Sequence, residues 1–271
     1  MKNVYGKRAF VTGASSGLGK ACAEALAQNG CDVLGVSRSC EETVTDYPGG
    51  GRLTLRRMDV TDDASVEAVA GALPGVDIAV LCAGMGVSGP AEELPMELAC
   101  RQMEVNYFGV LRVGRAVLPK MRAQGRGLFL VIGSVAGRVS IPMQSHYSSS
   151  KYALEAYTEA VEMEMRRFGV RACIIEPGDT RTGFTDARRK YVPAPDSPYA
   201  GVCEKSVAAM ERDERNGRPP SSVSDVVLKL VGRRDPPVRV AVGFPYKALM
   251  FIKRLLPDRL ARFILTKLYL S

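Results

Sequence analysis

The chain has 271 residues, 46% of them apolar, enough for one sizeable core and free of the low-complexity tracts that mark disorder. Its net charge of +8 comes from dispersed Lys and Arg residues, with no tryptophan and no DNA-binding helical motif. That pattern excludes a nucleic-acid-binding face and leaves a solvated basic surface, or attraction to an anionic cofactor, substrate or membrane.

The opening, Met1-Lys-Asn-Val-Tyr-Gly-Lys-Arg8, runs into a strand without a cleavable apolar stretch, so no secretory signal is expected. Arg8–Val11 reads as a first strand and Gly19–Asn29 as a helix with Ala21, Ala25 and Leu26 inward, broken at Asn29-Gly30. Further strands are expected at Val33–Val36, Arg52–Arg57 and Asp77–Leu81, then a long helix over Leu98–Met121 and a strand at Gly127–Ile132. Tyr147–Phe168 is the next helix, Val170–Ile175 the next strand and Val238–Val242 the last. Strands alternating with helices imply an α/β fold: a single doubly wound parallel sheet with helices on both faces.

Two stretches depart from that rhythm. Residues 183–223, rich in proline, arginine and charge, predict a mobile helical flap. The segment 245–271 mixes apolar residues, from Leu249 and Phe251 to Leu268 and Tyr269, with Lys253, Arg254, Arg259, Arg262 and Lys267. Charges interrupt it too often for a membrane span. It stays open between a core or dimer helix pair, the favoured reading, and a basic amphipathic surface for peripheral membrane contact. The expected organisation is a catalytic domain over 1–244 and a C-terminal helical extension over 245–271.

Seven cysteines (22, 31, 40, 82, 100, 173 and 203) are scattered with no C-x-x-C pair, and there is one histidine. Neither a zinc-ligand set nor any other metal site is implied, and the thiols read as reduced, in a cytoplasmic protein.

Between the first strand and helix lies Thr12-Gly-Ala-Ser-Ser-Gly-Leu-Gly19. Glycines 13, 17 and 19 permit a tight turn, and the helix start presents free N–H groups to a phosphate. Gly13, Ser15, Ser16, Gly17, Leu18 and Gly19 are therefore candidate dinucleotide contacts. A P-loop is ruled out because Ala14 and Ala21 stand where a glycine and a Ser or Thr are required. Asp32 has the interval of a ribose-binding carboxylate but lies at the wrong end of its strand, whereas Ser37, Arg38 and Ser39 stand at the correct end. A guanidinium with hydroxyls suits a 2′-phosphate, which predicts NADP(H) over NAD(H).

Tyr147 and Lys151 lie four apart on one helical face, with Ser134 thirteen residues upstream of the tyrosine. Lowering a phenol from about 10 to roughly 7 takes about 4 kcal/mol. One ammonium at about 4 Å supplies that much at an effective dielectric of about 20. The spacing thus suits a tyrosine working as general acid or base.

Together these elements resemble the short-chain dehydrogenase/reductase family, from about Lys7 to Gly243. Thr12, Gly13, Gly17 and Gly19 match its T-G-x-x-x-G-x-G pattern, and Asp59-Val60 the pair beside the adenine. Leu81-Cys-Ala-Gly84 stands where N-N-A-G is usual, so Ala83 and Gly84 match while Cys82 departs, with slightly altered support of the strand expected. Asn106, Ser134, Tyr147 and Lys151 match the catalytic tetrad, and Pro177, Gly178 and Thr182 the P-G-x-x-x-T segment, with Thr180 inside it, on the nicotinamide and diphosphate side.

The resemblance implies a Rossmann-like fold and hydride transfer between nicotinamide and a carbonyl or secondary alcohol. Ser134 holds the substrate oxygen, Tyr147 exchanges its proton, Lys151 lowers the tyrosine pKa and binds the ribose, and Asn106 holds a water linking Lys151 to solvent. For His146 a structural hydrogen bond is favoured over a place in the pocket. Ile141, Pro142, Met143, Met85, Val87 and Phe184 suggest an apolar pocket. The extended amphipathic C-terminus resembles family members acting on steroids, retinoids or other lipophilic alcohols and ketones, which implies a bulky lipophilic substrate such as a hydroxysteroid or retinoid. A 3-oxoacyl-thioester or small carbonyl reductase is the alternative enzyme. A catalytically silent dinucleotide-binding or membrane-associated protein is the alternative of another class. A homodimer or homotetramer is expected through the helices 98–121 and 147–168.

Overall fold

The computed structural model describes residues 3–270; Met1, Lys2, Ser271 and the side chain of Leu268 lie outside the described set. β1 (Arg8–Thr12) passes through the glycine turn into α1 (Gly17–Gln28) and β2 (Asp32–Ser37). A short strand β3 (Thr43–Asp46) precedes β4 (Arg52–Arg57), α2 (Asp63–Val66) and β5 (Ile78–Leu81). Then come β6 (Val87–Ser88), α3 (Met96–Met103), α4 (Gly109–Ala123), β7 (Gly127–Ile132), α5 (Ser145–Met165) and β8 (Val170–Glu176). α6 (Phe184–Ala187), β9 (Arg189–Lys190), α7 (Ala200–Arg215), α8 (Ser221–Val231), β10 (Arg239–Ala241), α9 (Phe244–Leu255) and α10 (Asp258–Leu270) complete the chain.

The main sheet has eight strands in the order β10-β8-β7-β5-β1-β2-β4-β3, parallel except for β3, which pairs antiparallel with β4 at the edge. β6 and β9 form a separate small parallel ribbon. The strand order reverses direction between β1 and β5, so a crevice opens at the C-terminal strand ends there, where ligands of doubly wound sheets bind. The central strands are covered on both faces, which is why Gly127–Ile132 is an unbroken apolar run with every residue buried.

Alternation along the strands divides the core. Ala9, Val11, Ile78, Val80, Leu128 and Leu130 face α1 and α8, where Ala23, Leu26, Val223, Val227 and Leu230 are buried. Phe10, Ala79, Leu81, Phe129 and Val131 face the opposite layer, with Val113, Val117 and Met121 of α4 and Leu154 and Val161 of α5. Each fully buried Val, Leu, Ile, Phe or Met among them contributes roughly 1.5–3 kcal/mol, and the alanines less, so these two layers hold the strand ends in place.

Three expectations need correction. The helix over 98–121 is interrupted by a π-helical turn at Glu104–Phe108, which carries Asn106. The proposed flap of 183–223 includes the first turn of α8, whose Val223 is fully buried against the main core and so belongs to the helical layer. The tail is not a core helix pair: α9 has no buried residue, and Phe244, Phe251 and Leu255 are each more than 60% exposed.

Candidate active site

A cleft of about 750 Å³ runs across the C-terminal ends of β1, β2, β5, β7 and β8. At one end the glycine turn supplies the floor. Gly13 and Gly17 have φ of +67° and +52°, a region that disfavours side chains. A Cβ on Gly13 would lie 3.1 Å from the Ala83 nitrogen, and one on Gly19 only 2.2 Å from the Gly13 carbonyl oxygen. The main chain can make this cradle only without side chains at these positions, and it turns the start of α1 toward the cleft. Those features fit a dinucleotide diphosphate.

Thr12 braces the same floor. Its buried Oγ1 accepts from the backbone N–H groups of Cys82 (3.0 Å) and Ala83 (3.1 Å), joining the ends of β1 and β5. Cys82 is thus supported through its main chain, while its thiol side packs against the core containing Cys22. The neighbouring Cys22 thiol, and after it burial, hold the Cys82 thiol well above its ordinary value.

Ser37, Arg38 and Ser39 line the cleft past the end of β2, and the Ser15 and Ser37 hydroxyls are 2.8 Å apart. Asp32 pairs in register with Arg8 and Arg52 at the opposite end of β2, five residues and roughly 17 Å away. Asp59 and Val60 also line the cleft. Burial acts to raise the Asp59 carboxyl, but the Thr61 N–H (2.9 Å) and hydroxyl (2.8 Å), helped by Arg38 and Arg101, hold it below the usual range. That carboxylate is therefore charged and an acceptor at neutral pH.

Ser134, just beyond β7, and Tyr147 and Lys151, on the first turns of α5, line the other half of the cleft. Ser134 caps a short 3₁₀ turn, its Oγ accepting from the Ala136 N–H at 3.1 Å. The Lys151 ammonium lies 5.7 Å from the centre of the Tyr147 ring and donates to the Ile132 carbonyl at 2.9 Å. Ala83, Gly84, Pro177, Gly178, Thr180 and Thr182 complete the wall, so every predicted catalytic or cofactor-binding residue except Asn106 faces one space.

Asn106 lies beneath that wall. Its Oδ1 accepts from the Met85 N–H at 2.8 Å, while Nδ2 donates to the Met85 carbonyl (3.0 Å) and to Ser150 Oγ (3.1 Å). It therefore ties the turn after β5 to α5. The π turn places it there, a distortion often found at functional positions.

The acidity expected of Tyr147 is not what the protein chain produces. Burial pushes the phenol up to about 12; the Ser134 hydroxyl and Arg188 act downward and Glu214 upward. Burial also lowers Lys151 to about 8, partly opposed by Cys82 and Glu155. Helical spacing alone allows an ammonium about 4 Å from the phenol oxygen but carries no information on the cost of burying a phenolate. With the ammonium turned to a carbonyl, desolvation dominates, and at neutral pH the phenol holds its proton.

The substrate end has a wall that sequence reasoning mostly missed. Of the predicted apolar residues, Met85, Ile141 and Phe184 line the cleft, and the Phe184 ring is 5.9 Å from that of Tyr147. Pro142, Met143 and Val87 do not line it; Val87 and Met143 are buried. Met210, Asp213 and Glu214 of α7 and Tyr269 of α10 line it instead. Glu214 accepts from Thr185 Oγ1 at 2.7 Å and pairs with the buried Arg188. Tyr246 of α9 donates to the Asp179 carboxylate at 2.5 Å and accepts from its N–H at 2.9 Å. Tyr246 and Tyr269 stand 23 residues apart at the two ends of the tail, and nothing local in the sequence shows which element either one meets. His146 does not line the cleft, and its Nε2 is buried without a hydrogen-bond partner among the described residues, contrary to the structural role favoured for it.

The fold and cleft define a dinucleotide-binding oxidoreductase. The family model for short chain dehydrogenase matches residues 7–192. A 3-ketodihydrosphingosine reductase of Bacteroides thetaiotaomicron is 36% identical over 96% of this chain and 97% of its own. Retinol dehydrogenase 8 of Bos taurus is 28% identical over 92% and 85%. Among solved structures, a short-chain dehydrogenase of Streptomyces avermitilis superposes with a TM-score of 0.80, at 29% identity over 96% of this chain and 95% of that one. Two others carry cofactors: one of Burkholderia cenocepacia in complex with NADP (TM-score 0.75, 26% identity, 100% of both chains) and one of Burkholderia phymatum in complex with NAD (0.77, 25%, 94% of both). This chain belongs to the short-chain dehydrogenase/reductase family, whose fold binds a nicotinamide dinucleotide and whose members are oxidoreductases.

Proposed function

We propose that the protein is an NADP(H)-dependent oxidoreductase acting on a carbonyl or secondary alcohol of a bulky lipophilic substrate. The observation that carries this reading is the meeting, in one cleft, of the glycine floor with Ser134, Tyr147 and Lys151. Arg38, with Ser37 and Ser39 past β2, supports a 2′-phosphate and hence NADP(H). When bound, the cofactor supplies or accepts the hydride.

The chain's own part is to hold the substrate oxygen and handle its proton. Ser134 donates a hydrogen bond to that oxygen. Tyr147, protonated at neutral pH, gives it a proton in reduction and takes one back in oxidation. Lys151, with its ammonium within reach of the tyrosine ring, binds ribose hydroxyls and restores the tyrosine's proton. Asn106 positions the Met85 turn and retains one acceptor lone pair for a water linking Lys151 to solvent. Asp59, already charged, accepts from the adenine amine.

A lipophilic substrate is supported by Met85, Ile141, Phe184 and Met210 around Tyr147, and by the names of the two relatives above. The test is the fall in NADPH absorbance against a panel of long-chain ketones, retinal, ketosteroids and acyl thioesters, with NADH alongside. Turnover of at least one apolar ketone or aldehyde with NADPH preferred is expected; failure on the whole panel overturns the reading. We further propose a homodimer or homotetramer through α4 and α5, where Phe108, just before α4, and Tyr152 and Met163 of α5 are exposed. Light scattering of the wild type and Met163→Glu checks it, with dissociation expected in the variant.

A further inference from the structure

Nine of the sixteen large apolar side chains exposed among the described residues fall on α9 and α10, about a tenth of the chain. Phe251, Leu255 and Phe263 are 66%, 68% and 60% exposed. The same two helices carry six basic residues and one acidic one, Asp258, a net +5 of the chain's +8, so although basic residues are dispersed along the chain, most of their excess over acidic ones falls here. Basic and apolar residues are interleaved: Lys253 and Arg254 follow Phe251 and Ile252, and Arg259 and Arg262 flank Leu260. Inward, the tail is held by Tyr246 on Asp179 and reaches the substrate end of the cleft through Tyr269.

A second copy of the chain is a poor occupant for this face, since pairing two of them brings +5 against +5. An anionic bilayer matches both components: phosphate headgroups for the basic residues, and the acyl boundary for the phenylalanines and leucines. At 12 and 13 residues, the helices fall short of the roughly 20 needed to span. No helix among the described residues is long and apolar enough to cross a membrane. Their lengths suit lying along the surface.

We propose that α9 and α10 form a docking surface for an anionic lipid bilayer, seating the substrate end of the cleft, where Tyr269 stands, beside the membrane. A lipophilic substrate would then enter from the lipid without crossing bulk water. The surface complements the reading of a lipophilic substrate, and vesicle binding is measured without turnover, so either proposal can fail alone.

The test is co-sedimentation of the full chain with vesicles of phosphatidylcholine alone or with about one third phosphatidylglycerol, in low and high salt. The expected result is binding to the anionic vesicles, at least tenfold weaker on neutral ones and weakened by salt. Phe251→Glu/Phe263→Glu and, separately, Lys253→Gln/Arg254→Gln/Arg259→Gln/Arg262→Gln should each lower binding at least tenfold. Both variants should keep the wild-type circular dichroism and NADPH affinity, because the altered side chains are outside the cleft. Absence of wild-type binding, or equal binding by wild type and both variants, would overturn the proposal. So would a wild-type oligomer that Phe251→Glu/Phe263→Glu dissociates, which would assign the face to a second copy.

Discussion

At the dinucleotide end of the cleft the wall is main chain: Gly13, Gly17 and Gly19 bring the backbone close, and Thr12 fastens it to β5 through two N–H groups. At the substrate end the wall is side chain: Phe184 beside Tyr147, Arg188 paired with Glu214, and Tyr269 arriving from the tail. A main-chain wall admits few sequences and one ligand shape. A side-chain wall can be rewritten residue by residue while the chemistry beside it stays the same. The difference explains how one family keeps its cofactor and varies its substrates.

That comparison can be broken at several points. The sharpest is Tyr147→Phe, at the junction of the two ends: turnover should fall by about 10²–10⁴, the usual share of a general acid, with cofactor affinity unchanged. Titration of NADPH fluorescence and steady-state rates check it, and a rate near wild type would remove Tyr147 from the chemistry. Next is the floor. Gly19→Ala sets a methyl 2.2 Å from the Gly13 carbonyl, so cofactor affinity should weaken by about a hundredfold, roughly 3 kcal/mol, with lesser effects on substrate KM. Were alanine tolerated there, the main-chain account of the floor would be wrong.

Arg38→Ala should raise the KM for NADPH by about 10–100-fold while leaving that for NADH nearly unchanged, as expected for one lost charge-assisted contact. A parallel loss for both cofactors would make Arg38 a general anion contact. The smallest effect belongs to the substrate wall. Glu214 pushes the Tyr147 phenol up and Arg188 pulls it down, both secondary to burial. Glu214→Gln removes the upward push, so the tyrosine loses its proton more readily. The alkaline limb of carbonyl reduction, which needs that proton, should move to lower pH, with less than about a tenfold change in rate near neutrality. A pH–rate profile shifted the other way would contradict the geometry.

Legibility in the sequence followed locality. Arg52–Arg57 and Gly127–Ile132 coincide with β4 and β7 because each strand carries its own signal, the alternating Leu53 and Leu55 in the first and an unbroken apolar run in the second. The glycine turn was readable because strand, turn and helix are adjacent in the chain. β3 escaped because Thr43-Val-Thr-Asp46 is an edge strand with all four residues exposed, so it has no buried face to give it alternation. The first turn of α8 lies within the 183–223 stretch that composition marks as a flap, although Pro219-Pro220 precedes it and Val223, Val227 and Leu230 recur at helical spacing. The meeting of Glu214 with Arg188, and of Tyr246 with Asp179, spans 26 and 67 residues and is fixed only by the fold. The raised pKa of the Tyr147 phenol has the same origin: helical spacing gives the direction of a neighbour, but burial is a property of the whole molecule.

The Tyr246 ring occupies the volume where any side chain at Gly178 would stand: a Cβ there would come within 2.1 Å of it. Residues 178 and 246 are consequently a lock and its key, and neither can be exchanged alone without loosening α9 from the segment that follows β8. Cutting the chain before Phe244 would strip that partner from the loop beside the cleft and alter both regions together. The tail is part of the active-site masonry, and its outward traffic can be studied cleanly only by changing residues on its far side.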